Sequence, residues 1–183
     1  MPFDNNQNRG QQGNRNPQNQ GGGQGNFNRQ DDNIPFVAKC KCNGEHDTNI
    51  PFDPKWITRG IDTKGICYAE EFGKHLANGG GNFNMKLTTS QLRNFFGEVR
   101  RIQTGGFNEM DFLLLKPKLA YASGRQGGNA VKPLKLILDM AHAAVFKEEA
   151  DGKPIKGRFQ NFVNFFEAVL AYHKGYGGKD SKK

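Results

Sequence analysis

From residue 63 onward, apolar residues recur every three or four positions, and clusters of glycine interrupt this pattern at short intervals. A period near 3.6 places apolar side chains on one face of an α-helix, and glycine is a frequent helix terminator. Five such stripes, joined by short loops, run through residues 63–178. Because an amphipathic helix must bury its apolar face, the sequence predicts an all-α fold, a compact bundle of about five helices.

The clearest helix begins after Thr88 and ends before Gly105. Thr88 and Gln91 have the spacing of a capping box, in which each side chain accepts a hydrogen bond from the other residue's backbone N–H. Its apolar stripe comprises Leu92, Phe95, Phe96, Val99 and Ile102. In the next helix Asn108 is the predicted N-cap, and Pro117 either kinks the helix or begins a new turn. The residues predicted to face inward there are Phe112, Leu113 and Leu115.

The first 62 residues lack helical periodicity. Asn and Gln occupy 16 of the first 33 positions and Gly another six, so this segment has too little apolar surface to fold. Alternating positions then precede Asn43-Gly44, a pattern typical of a β-hairpin. These positions are Phe36, Ala38, Cys40 and Cys42. We predict a disordered tail over 1–34, an irregular extension with a hairpin over 35–62, the helical bundle over 63–178 and a basic tail over 179–183.

The basic residues are concentrated in one half of the chain. The full sequence has 26 basic and 18 acidic residues, a formal net charge of +8. Residues 84–183 hold 17 of the basic and nine of the acidic residues, so the whole excess lies there. A compact basic region favours a polyanionic partner, and nucleic acid is the commonest one. The alternative is a solvated surface that is basic without binding a partner.

Nine residues of the predicted helices are candidates for RNA contact, because Arg and Lys bind phosphate oxygens and Tyr stacks on bases. They are Arg93, Arg100, Arg101, Lys116, Lys118, Tyr121, Arg125, Lys132 and Lys135. Arg93 and Arg100 are seven positions apart, so they share a helix face. We therefore interpret the bundle as an RNA-binding domain.

The cysteines allow one metal-site hypothesis. Cys40, Cys42, His46 and Cys67 could together hold a zinc ion, with His75 further along the chain. Structural zinc sites usually contain two pairs of closely spaced cysteines, whereas this sequence has one. We therefore predict no metal, with this zinc set as the alternative. Three cysteines are too few for a disulfide framework, so reduced thiols and a cytoplasmic location are expected.

The sequence does not show an arrangement typical of catalysis. His142 and His173 have no Ser or Cys partner at a suitable spacing, and the glycine clusters lack the Lys-Ser/Thr signature of a phosphate-binding loop. Glu148-Glu149 is interpreted as a solvated helix end. No apolar stretch approaches the ~18 residues that span a membrane. We predict a protein that is not an enzyme, with no cofactor, no small-molecule substrate and no membrane contact.

Three sequence motifs follow one another in the helical region. They are KLTTSQLRNFFGEVRRI (Lys86 to Ile102), LKPKLAYASGR (Leu115 to Arg125) and FVNFFEAVLAYHKGYGG (Phe162 to Gly178). In this order they resemble the small helical subunit of type III-A CRISPR effector ribonucleoproteins, the Csm complex. The resemblance spans about residues 63–178, and residues 1–60 have no counterpart in it.

The resemblance implies a helical bundle without a catalytic centre, acting in antiviral defence. Several copies would stack head to tail beside the other Csm subunits, along the guide RNA and its target RNA. The motif residues that would face the RNA are Arg93, Arg100 or Arg101, Lys116, Lys118 and Arg125. Their phosphate contacts would position the RNA, while guide pairing reads its sequence. The alternatives are a free-standing helical RNA-binding protein with a condensing tail and a metal-dependent nuclease.

Overall fold

The computed structural model describes residues 35–41, 48–81, 86–125, 130–147 and 153–177. In these ranges the chain forms seven α-helices and one two-stranded sheet, which confirms the predicted, mostly helical fold. The elements are β1 (Val37–Cys40), β2 (Thr48–Pro51), α1 (Lys55–Thr58), α2 (Thr63–Asn78), α3 (Thr89–Thr104), α4 (Glu109–Leu113), α5 (Leu115–Arg125), α6 (Lys132–Phe146) and α7 (Ile155–Gly175). The predicted tails, 1–34 and 179–183, lie outside the described residues.

Helix α7 lies at the centre of the bundle and contacts α1, α2, α3 and α6. It is rich in phenylalanine, and its buried apolar residues include Phe159, Phe162, Phe165, Phe166 and Val169. Helix α2 packs closely along it at Gly73, where an added Cβ would lie 2.8 Å from the Val169 carbonyl oxygen. The bundle therefore depends on a glycine at this crossing. None of the described helices combines the length and apolarity needed to cross a lipid bilayer.

The helix ends follow the predicted capping residues. The Gln91 N–H donates to Thr88 Oγ1 at 3.1 Å, and the Thr88 N–H donates to Gln91 Oε1 at 2.9 Å, which confirms the capping box of α3. Asn108 Oδ1 accepts from two backbone N–H groups and begins α4. The inward placement of Leu113 was wrong, since this side chain is 46% exposed. Helix α4 ends at Leu113 and α5 begins at Leu115, so the turn between them breaks the stripe.

Residues 36–41 and 48–58 share the core of the helical bundle. Strands β1 and β2 are antiparallel with Ala38 opposite Ile50, which supports the predicted hairpin, while its Asn43-Gly44 turn lies outside the described residues. The Tyr68 hydroxyl of α2 donates to the Phe36 carbonyl at 2.9 Å. The buried apolar residues contributed by this segment include Ala38, Cys40, Ile50, Phe52, Trp56 and Ile57. The described strands and helix α1 of the segment predicted as an irregular extension thus pack against α2 and α7.

Cys40 of β1 and Cys67 of α2 are joined by a disulfide bond. The expectation of reduced thiols was wrong for these two residues, because the fold brings side chains 27 positions apart into contact. Sulfur atoms in a disulfide are not thiolates, so the zinc hypothesis loses two of its four ligands. Cys42 and His46 lie outside the described residues. Within the described ranges, no group of three His, Cys, Asp or Glu side chains could hold a metal ion.

Candidate nucleic-acid interface

The nine candidate RNA-contact residues lie on three neighbouring helices, α3, α5 and α6. These helices together contain eight basic and two acidic residues. The described cations among the candidates are half-exposed or exposed, and Tyr121 of α5 is 71% exposed. The side chain of Arg125 lies outside the described part of the chain, although its backbone ends α5. The three helices therefore present a basic surface, which we call the α3–α5–α6 surface.

Glu98 is one of the two acidic residues on these helices, and it pairs with two candidate cations. Lys118 Nζ donates to its carboxylate at 2.9 Å, and Arg101 Nε lies 3.4 Å away. The hydrogen bond from Lys118, together with the charges of Lys118 and Arg101, lowers the pKa of Glu98. The carboxylate thus stays charged at neutral pH and holds the two cations together across α3 and α5.

Asp139 is the second acidic residue, and it has the same role on α6. Lys135 Nζ lies 2.6 Å from its carboxylate, at the i,i+4 spacing within the helix. Lys116 Nζ of α5 approaches the same carboxylate at 3.9 Å. Each acidic residue of the α3–α5–α6 surface therefore holds one cation of α5 and one of its own helix.

Arg100 points to a different neighbour from Arg101, although the two are adjacent in sequence. Its guanidinium lies 2.5 Å from the Glu167 carboxylate of α7 and donates to Gln103 at 3.0 Å. The same group lies over the Phe96 ring, 5.9 Å from its centroid. The candidate set is therefore divided, since the guanidinium of Arg101 lies 4.0 Å from the Asp111 carboxylate of α4, whereas Arg100 pairs with α7.

Residues 64–179 match the protein-family model described as Csm2 Type III-A. The chain belongs to this family. It is thereby a subunit of the type III-A CRISPR Csm complex. The comparisons with curated proteins and with solved structures give no match. The Csm2-matched region contains all nine candidate residues and α3 to α7, whereas the hairpin and α1 precede it.

Two acidic partners of the candidate cations could have been predicted from the sequence of this chain. Glu98 lies three positions before Arg101, and Asp139 lies four positions after Lys135, both at spacings that place side chains together on a helix. The contacts of Glu98 with Lys118 and of Asp139 with Lys116 join different helices. Their existence depends on how the helices pack, so helical spacing within one segment does not predict them.

Two histidines of the Csm2-matched region have structural contacts. His142 Nε2 lies 2.9 Å from the Phe112 carbonyl, and His173 Nε2 lies 2.8 Å from the Leu87 carbonyl. Because a carbonyl oxygen only accepts, each Nε2 carries the proton and donates. Burial lowers the pKa of both histidines and also that of half-buried His75. These side chains therefore remain neutral in the folded chain at neutral pH.

The buried histidines predict a loss of stability in mild acid. A histidine whose folded pKa lies below 6.5 binds its proton more readily in the unfolded chain, so stability falls as the pH drops below 6.5. We expect the free energy of unfolding to decrease by about 1–2 kcal/mol between pH 7 and pH 5.5. Urea unfolding at a series of pH values measures this decrease.

The substitution His173→Gln tests whether this histidine contributes to the loss of stability in mild acid. His173→Gln keeps an N–H donor for the Leu87 carbonyl and removes the titrating ring, so its stability should depend less on pH in this range. A native chain whose unfolding free energy stays constant from pH 7 to pH 5.5 would contradict the assignment. Glu98 affects stability in a different pH range, because its pKa is lowered from an ordinary value of 4.5 and it is therefore protonated only at lower pH.

Proposed function

We propose that this chain is a non-catalytic structural subunit of the Csm complex that binds the RNA backbone without sequence preference. Its partners would be the guide RNA, the target RNA, the other Csm subunits and further copies of itself, stacked along the RNA in the cytoplasm. The observation that supports RNA contact is the charge of α3, α5 and α6, which together contain eight basic residues and two acidic residues. A surface with this excess attracts phosphates through charge, which is independent of base sequence.

The ion pairs on the α3–α5–α6 surface are compatible with RNA binding. Lys118 and Lys116 are each about half-exposed, with side-chain exposures of 48% and 54%. Exposed ion pairs contribute about 0–1 kcal/mol, so a phosphate can replace a carboxylate as the partner at little cost. The carboxylates would hold the cations in place before RNA binds and release them to it.

The histidine contacts support a function without catalysis by these groups. A general base must be within hydrogen-bonding distance of a substrate, but His142 and His173 are buried and donate to backbone carbonyls. Both therefore have roles in packing. We infer that RNA cleavage, where the Csm complex performs it, belongs to other subunits.

Removing cations from the α3–α5–α6 surface should weaken RNA binding uniformly. We expect Lys116→Ala and Lys118→Ala each to lower the slope of log affinity against log salt by about 0.7–0.9, the number of counterions released per phosphate contact. The affinity should fall by similar factors for RNAs of different sequence. Titration of labelled RNA at four salt concentrations, with assembled Csm complex and with the full chain, measures both quantities.

The controls for this experiment are cations elsewhere on the molecule. Lys55 of α1 and Lys64 of α2 are exposed and lie outside the α3–α5–α6 surface, so Lys55→Ala and Lys64→Ala remove the same charge. If these controls reduce the salt slope as much as Lys118→Ala does, the charge acts diffusely and the surface is wrongly placed.

Removing the carboxylate of Glu98 should strengthen RNA binding. Glu98→Gln frees Lys118 and Arg101 from their shared partner and removes a charge that repels phosphate. We expect the affinity to rise by about threefold at low salt, consistent with the energy of one exposed ion pair. Glu71→Gln is the matched control, because Glu71 of α2 forms a similar exposed pair with Lys74. Equal effects of the two variants would show that net charge alone determines affinity.

A further inference from the structure

An apolar pocket of about 100 Å³ lies between α3, α5 and α6, inside the basic surface. Phe95, Leu119 and Val131 are among its apolar lining residues, and exposed Asn94 and Lys118 also border it. An enclosed apolar cavity of about 150 Å³ is known to hold benzene. This smaller but open pocket is therefore of the right scale for one six-membered ring whose edge remains in solvent.

The charge around the pocket indicates the kind of molecule that would occupy it. The three helices that form its walls carry eight basic and two acidic residues, and Lys118 lies at the pocket itself. Glu98 also lines the pocket, but Lys118 and Arg101 compensate its charge. An apolar slot with a lysine at its edge, on helices rich in cations, matches a flat base attached to phosphates, since single-stranded RNA is bound by such a combination.

We propose that this pocket accepts one unstacked base of single-stranded RNA, while Lys118 and its neighbours contact the flanking phosphates. This proposal rests on the RNA-binding function proposed above and adds a base-binding subsite to it. The half-buried Phe95 ring offers an aromatic surface, and the Asn94 amide can both donate to and accept from a base edge. Because the volume suits a single ring, this subsite would add a preference for pyrimidines to backbone contacts that are themselves independent of sequence.

The test compares three RNAs that differ in their bases alone. The probes are a labelled oligouridylate and an abasic oligomer with the same ribose-phosphate backbone and length, titrated with the full chain at low salt. The native chain should bind the oligouridylate about tenfold more tightly than the abasic oligomer, because base stacking adds to the phosphate contacts. A labelled oligoadenylate should bind less tightly than the oligouridylate.

Two variants locate the base. Asn94→Trp places a large ring over the pocket and should abolish the tenfold preference for the oligouridylate over the abasic oligomer. Asn164→Trp, at an exposed position of α7 outside the pocket lining, is the matched control and should keep the preference. Phe95→Leu keeps apolar volume but removes the aromatic ring, and thermal melting checks that each variant folds.

The possible results separate the subsite from the function on which it rests. Equal binding of the oligouridylate and the abasic oligomer by the native chain, or a preference that persists in Asn94→Trp, would overturn the base subsite and leave backbone binding intact. Absence of binding to either RNA would overturn both proposals. If both RNAs bind equally and Asn94→Trp fails to join the Csm complex, the pocket holds a protein side chain.

Discussion

Gly73→Ala should lower the free energy of unfolding by about 3 kcal/mol, near the upper end of the usual cost of overpacking a core. An added Cβ would lie 2.8 Å from the backbone nitrogen of His173 and 2.8 Å from the carbonyl oxygen of Val169. Both contacts are with the backbone of α7, which cannot rotate aside as a side chain can. Helices α2 and α7 would have to separate, and α7 contacts four helices of the bundle. Urea unfolding monitored by circular dichroism measures the loss.

Gly97 of α3 provides a control, because alanine at this position should raise the free energy of unfolding instead of lowering it. A Cβ at this position would meet nothing within 4 Å. Gly97→Ala should therefore stabilise the chain by about 0.5–1 kcal/mol, because alanine favours a helix over the unfolded chain more than glycine does. If Gly73→Ala and Gly97→Ala had similar effects on the free energy of unfolding, helix propensity would explain both. The crossing of α2 and α7 would then have room for a Cβ at position 73.

The helices could be predicted from the sequence because their signals are local. The cap residues Thr88 and Asn108 and the final Gly79, with φ +67°, each act on the backbone within a few positions. The apolar period identifies buried positions such as Val99 and Ile102 for the same reason. Leu113 is the informative exception, since it satisfies the period but lies at the end of a five-residue helix.

The contribution of residues 36–41 and 48–58 to the core could not be predicted from local patterns. Two four-residue strands are too short to be stable alone, and helix α1 has four residues. These elements are ordered by contacts with distant residues, including the Tyr68 hydroxyl bond to Phe36 and the disulfide between Cys40 and Cys67. Because the pairing of Cys40 with Cys67 depends on tertiary packing, the spacing of the cysteines in the sequence does not predict it.

The candidate interface was predictable in its charge but not in its detail. Charge asymmetry along the sequence directs attention to α3, α5 and α6, since these helices contain the cations. Sequence spacing does not reveal that Arg100 pairs with Glu167 of α7, nor that Glu98 joins α3 to Lys118. The apolar pocket is likewise formed by three helices, and it exists through their packing.

Arg158 was not among the candidates, and its removal should be among the most destabilising substitutions. The side chain is 6% exposed, so the guanidinium is buried, and it donates to two carbonyls. Its Nε lies 2.6 Å from the Val145 carbonyl, and its Nη1 lies 2.6 Å from the Lys153 carbonyl. Val145 is in the last turn of α6, where carbonyls have no helical partner. One side chain thus hydrogen-bonds the last turn of α6 and the Lys153 carbonyl, two positions before α7 begins.

Arg158→Met should lower the free energy of unfolding by about 3 kcal/mol, because it keeps apolar bulk but removes the donor from the buried bond to the Val145 carbonyl and from the part-buried bond to the Lys153 carbonyl. Arg158→Lys should recover about half of this loss, since one ammonium replaces a planar group that reaches both oxygens. Lys156→Met, two positions away and exposed, is the control and should change stability by less than about 0.5 kcal/mol. The measurement is urea unfolding of the three variants and the native chain at pH 7. If Arg158→Met were as stable as the control, water would have to reach both carbonyls, and the guanidinium would not connect α6 to α7.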